Sequence, residues 1–91
     1  MPISATELEQ QLREHNPNAI VIDGFDAAVI GVTRTSNGVV LAYDYEAMLS
    51  VLEARGMTRE EASEYGEELL LPFDEGRGTP VFIRRLEGTH D

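Results

Sequence analysis

From Val29 the apolar residues recur with a period of two, and from Tyr45 the period lengthens to that of a helix. The first stretch, AVIGVTRTSNGVVLAYD, predicts β-structure. Asn37-Gly38 interrupts it, and both residue types tolerate positive φ, which predicts a two-residue hairpin turn there. Folding the chain at that point pairs Ser36 with Val39, Arg34 with Leu41 and Val32 with Tyr43. One face then carries Ile30, Val32, Leu41 and Tyr43, and the other Val29, Gly31, Thr33, Val40 and Ala42. The bulkier set predicts the core face. Ala19 to Ile22, four apolar residues before Asp23-Gly24, are compatible with a further short strand.

Three segments carry helical spacing. ISATELEQQLREHNP opens with Ser4 as N-cap and Glu7 three residues on, a capping box, with Ile3 and Leu8 as the flanking hydrophobic staple. Pro17 ends it, and its narrow stripe of Ala5, Leu8 and Leu12 predicts a helix lying across the edge of the core. In DYEAMLSVLEARGM, Asp44 is the cap and Tyr45, Met48, Leu49 and Leu52 form the buried stripe. Gly56 suits the left-handed position after that helix, which would bring Met57 against Leu52. Thr58 starts a third helix with Glu61 completing a second capping box, and Pro72 stops it. Its wheel places Ala62, Tyr65, Gly66 and Leu69 on one face, with Leu70 at the margin. DEGRGT reads as a flexible loop, and residues 80–86 read as a last strand. The expected fold is α+β in the order α-β-β-α-α-β, a small antiparallel sheet with helices packed on one face. It forms a single domain over residues 1–91, with residues 1–3 and 87–91 expected to fray.

Composition narrows the chemistry. With 91 residues, 42% of them apolar, the chain can bury one modest core. It has no cysteine, which removes disulfides, thiolate metal sites and cysteine nucleophiles. All seven of its Lys+Arg cations are arginine, so Schiff-base chemistry and a phosphate-loop lysine are absent too. The formal net charge of −10 argues against a nucleic acid or an anionic membrane as direct partner. No apolar run approaches the ~20 residues of a membrane span. The opening MPISATELEQ lacks the layout of a signal peptide, which points to a cytoplasmic protein.

The negative charge is concentrated. Glu60, Glu61, Glu64, Glu67 and Glu68 fall within nine residues of the third helix, on the side away from Ala62 and Tyr65. At about 1.5 Å per residue they span ~12 Å, roughly one charge per 2.4 Å. Duplex DNA carries about one per 1.7 Å of axis. Such a face can compete for a basic DNA-binding groove, and Asp74 and Glu75 extend the track. A solvated face of an ordinary helix has the same composition, since like charges cost a helix only a few tenths of a kcal/mol per pair.

GFDAAVIGV, YDYEAMLSVLEARGMTREEASEY and GTPVFI, in this order and spacing, resemble a family of small acidic proteins common in tailed phages and prophages. The resemblance covers Gly24 to Ile83, about two-thirds of the chain. It implies a setting and no catalytic residues. Small acidic phage proteins often disable host enzymes, defence nucleases among them. After Tyr65 this chain departs from the family, which tends to carry further aromatic and Asn residues where GEELLLPFDEG stands here. Any function seated in that segment therefore need not be the family's.

Other residues offer weaker chemistry. Asp23, Asp26 and Asp44 could approach a hard cation, but their spacing is that of an Asx-type turn and a helix cap. No metal or cofactor is expected. The glycine-rich DEGRGTP feeds a strand rather than a helix N-terminus, unlike a phosphate cradle. Arg77, Arg84 and Arg85 could still hold an anion beside it. His15 and His90 have no base–nucleophile arrangement around them, so an enzyme is not expected. The leading expectation is a non-enzymatic interaction protein whose acidic surface inhibits a basic, nucleic-acid-binding host protein, such as a CRISPR or restriction component. The alternative is an oligomeric protein that sequesters a small ligand or nucleotide, with the small-residue sheet face packed on a second copy in a homodimer.

Overall fold

The computed structural model describes residues 5–84, with side chains from Glu7 onward. The expected class and order are present. Helix α1 spans Ala5–His15, strand β1 Val29–Thr35, strand β2 Gly38–Asp44, helix α2 Tyr45–Ala54, helix α3 Arg59–Tyr65 and strand β3 Val81–Ile83. A 3₁₀ turn, Asp26–Ala28, precedes β1, and a π turn, Gly66–Leu70, extends α3. Ser4 and Ile3, assigned to the first cap and staple, lie outside the described residues, as do Arg85 and His90.

The sheet runs β1-β2-β3, and it is mixed rather than antiparallel. β3 pairs with β2 in parallel, Ala42 opposite Val81 and Asp44 opposite Ile83. Two parallel neighbours need a long crossover, and α2 with α3 supplies one. Pro80 and Arg84 of the expected 80–86 strand lie outside β3, and residues 85 and 86 lie outside the described residues.

The hairpin register differs from the expected one by two positions in the sum of paired residues. Thr35 faces Gly38, Arg34 faces Val39 and Val32 faces Leu41. The turn residues are thus Ser36 and Asn37. Asn37 keeps a negative φ, and the left-handed conformation falls on Gly38 alone, at φ 97°. Thr35 Oγ1 holds the turn by accepting the Asn37 N–H at 2.9 Å. A β-bulge between Val29 and Gly31 then lets Val29, not Ile30, face Tyr43. Ile30, at the bulge, is 59% exposed and Val32, beyond it, 44%, so neither lies in the core expected for them.

One cluster forms the core: Leu12 of α1, Ala19, Phe25 and Ala28 ahead of β1, Leu41 and Tyr43 of β2, Tyr45, Met48, Leu49 and Leu52 of α2, Ala62 of α3 and Leu70. Phe82 stacks on Tyr43 with ring centroids 6.0 Å apart. Val40 and Ala42, expected on an open face suited to a second copy, are buried in the single chain. Residues 19–22 are not a strand. The Ile20 N–H donates to the Gly78 carbonyl at 2.9 Å, and the Ile22 N–H to the Tyr43 hydroxyl oxygen at 2.9 Å.

Candidate functional site

The acidic helix is built from local signals that hold as the sequence implies. Asp44 caps α2 by accepting the Glu46 N–H at 3.0 Å. α2 ends with the Met57 N–H on the Leu52 carbonyl at 3.2 Å and the Gly56 N–H on that of Glu53 at 3.0 Å, with Gly56 at φ 107°. Thr58 begins α3 with a complete capping box. Glu61 N–H donates to Thr58 Oγ1 at 3.0 Å, and Thr58 N–H to Glu61 Oε1 at 2.9 Å.

The far half of the helix departs from a regular wheel. The Leu71 N–H reaches back five residues to the Gly66 carbonyl, at 2.8 Å. That wider turn takes up one extra residue. Leu70 therefore points into the core at 5% exposure, and Leu69, expected there, is 58% exposed. Gly66 opens this turn and is buried. It sits against the Tyr45 ring, where a Cβ would lie 2.8 Å from Tyr45 Cζ and closer still to the hydroxyl.

Glu60, Glu61, Glu64, Glu67 and Glu68 are all exposed. Glu61 has one oxygen committed to the capping box. The other four form no hydrogen bond or ion pair among the described residues. The cation closest in sequence is turned away: Arg59 pairs with Glu46 and, at 3.4 Å, with Glu53, both on α2. These pairs raise the Arg59 guanidinium's affinity for its proton, the hydrogen bond to Glu46 first. They also brace α3 against α2. Burial pushes the Tyr45 hydroxyl's pKa up, Arg84 over the ring at 5.2 Å opposes this, and the Glu67 carboxylate adds to it.

Asp74 and Glu75 are exposed as well, in a loop that is tied down rather than loose. Asp74 Oδ1 accepts the Gly76 N–H at 2.9 Å. Thr79 Oγ1 accepts the Glu75 N–H at 3.0 Å and donates to the Gly76 carbonyl at 2.6 Å. Gly78 N–H donates to the Asn37 carbonyl at 3.1 Å, fastening the loop to the hairpin turn. Of the arginines expected to gather here, the two described ones lie apart. Arg84 lies over Tyr45, Arg85 is outside the described residues, and Arg77 lines a polar cleft with Asn16, Asn18, Ser36, Asn37 and Gly38. Nothing in the sequence marks those asparagines as neighbours, because they come from two turns about twenty residues apart.

Among the described residues, no three metal-capable side chains converge. Asp44 is a helix cap, and Asp26 opens the 3₁₀ turn. Glu9 lies within electrostatic reach of Asp26 and Asp23, and its pKa is raised by burial first and by their repulsion second. No described helix is long and apolar enough to cross a membrane. Comparison with protein-family models, with characterised proteins and with solved structures finds no match for this chain.

Proposed function

We propose that this protein is a non-enzymatic interaction protein that seats the acidic face of α3 and its π turn in the basic, nucleic-acid-binding surface of another protein. The observation that carries the reading is the set of four exposed carboxylates, Glu60, Glu64, Glu67 and Glu68, without a neutralising cation among the described residues. They sit on an element fixed by a capping box, by the Arg59 bridges and by the Gly66–Tyr45 contact. A charged face that is already ordered loses little conformational freedom on binding. Occupying the partner's groove would exclude its nucleic acid. Given the resemblance to phage proteins, a host defence component such as a CRISPR or restriction protein is the partner this reading selects.

Affinity capture on immobilised protein tests it. A basic nucleic-acid-binding protein should be retained at low salt, released at about 0.5 M salt, where charges interact over only a few ångströms, and displaced by duplex DNA. The quadruple variant Glu60→Gln, Glu64→Gln, Glu67→Gln, Glu68→Gln should retain much less. Equal capture by wild type and variant would refute the reading.

A further inference from the structure

The end of α1, the hairpin turn and the 74–79 loop meet around a cleft of about 240 Å³, lined by Asn16, Asn18, Ser36, Asn37, Gly38 and Arg77. Among the described residues no acidic side chain lines this cleft, and Arg77 is the one cation that does. The walls are held by bonds that leave most of the lining side chains free. Asn16 Nδ2 donates to the Val39 carbonyl at 2.9 Å, and Asn16 Oδ1 accepts the Asn18 N–H at 3.1 Å. Gly78 joins the loop to Asn37 on one side and to Ile20 on the other. No side chain fits at Gly78, because a Cβ there would run into the main chain of Asn18 and Ala19. The amides of Asn18 and Asn37, the Ser36 hydroxyl and the Arg77 guanidinium form no side-chain hydrogen bond or ion pair among the described residues.

We propose that this cleft binds a small, hydroxyl-rich phosphate ester, a sugar phosphate in chemical class. The Arg77 guanidinium would take the phosphate, because its planar fork matches two phosphate oxygens at once. Asn18, Ser36 and Asn37 both donate and accept, which is what sugar hydroxyls require. Among the described residues no aromatic or large apolar side chain lines the cleft, so they offer a nucleobase nothing to stack on. The volume falls below the roughly 300 Å³ at which pockets for larger organic ligands begin, which suits a compact ligand. This narrows the ligand-binding alternative to a non-nucleotide. It does not rest on the acidic helix, whose glutamates do not line the cleft, although Asp74 and Glu75, which extend the acidic track, share a loop with Arg77.

The test is a titration of ¹⁵N-labelled protein with ribose 5-phosphate, with ribose and inorganic phosphate run separately. Ribose 5-phosphate is expected to shift the amide signals of Asn18, Ser36, Asn37, Gly38 and Gly78 to saturation, inorganic phosphate more weakly and ribose not at all. Arg77 is exposed and supports no other group, so Arg77→Gln should leave the rest of the spectrum in place. It should weaken ribose 5-phosphate about tenfold or more, and Arg77→Lys should restore part of the loss. Three results would overturn the proposal: no saturable shift at these amides, undiminished binding to Arg77→Gln, or inorganic phosphate binding as tightly as the ester.

Discussion

Gly56 and Gly66 each stand beside the acidic helix, for opposite reasons. Gly56 has open space around it but a φ of 107°, so an added Cβ strains the backbone alone. Gly66 has an ordinary helical φ of −63°, and the three atoms nearest an added Cβ all belong to the Tyr45 side chain. Gly56→Ala should cost ~1 kcal/mol, or about 4–8 °C in melting temperature. Gly66→Ala should cost ~1–3 kcal/mol by overpacking. Tyr45→Phe removes the nearest clashing atom, so thermal melts should show Gly66→Ala costing less in that background, while Gly56→Ala costs the same in both. Tyr43 carries a pH prediction. Burial raises its pKa above the ordinary 10.0, with its Ile22 hydrogen bond opposing. The folded state therefore holds that proton more tightly than the unfolded chain. Its contribution is complete below the unfolded value of about 10 and is lost as pH rises through the raised one. Denaturant midpoints should fall above about pH 10, and Tyr43→Phe should flatten part of that fall. A midpoint as steep in the variant as in wild type would remove Tyr43 from the account.

The π turn sets the register of α3's second half. Leu70→Ala should cost ~2–5 kcal/mol and Leu69→Ala less than about 0.5, read from denaturant midpoints. The reverse order would mean that the helix continues without the extra residue. This element marks where sequence reading stops. Caps and stops are legible because each depends on residues within one turn: Asp44, Gly56, Thr58 with Glu61, and Pro72 all act as their types imply. The π turn packs Gly66 against Tyr45, twenty-one positions earlier, a contact that no local pattern reports. The same holds for the bulge at Ile30 and for the parallel docking of β3. The glutamates of the acidic face were legible as exposed because charge itself keeps them in water. The Arg77 cleft was not, since its walls come together only when loop and hairpin are bound through Gly78.

At the scale of the molecule, a net charge of −10 on a chain this small creates a field felt well before contact. On the proposed reading, the acidic face of α3 is the part of that field the partner meets. Long-range attraction acts mainly on the association rate, whereas close desolvated pairs act on dissociation. The most direct test of the central claim is the association rate with the captured basic partner, measured against ionic strength for wild type and for the quadruple Glu60, Glu64, Glu67, Glu68→Gln variant. The wild-type rate should fall steeply as salt rises. The variant should start about tenfold slower or more at low salt and show a distinctly shallower slope, with an unchanged fold. Superimposable rates and slopes for the two proteins would contradict the account and leave the face as solvated surface.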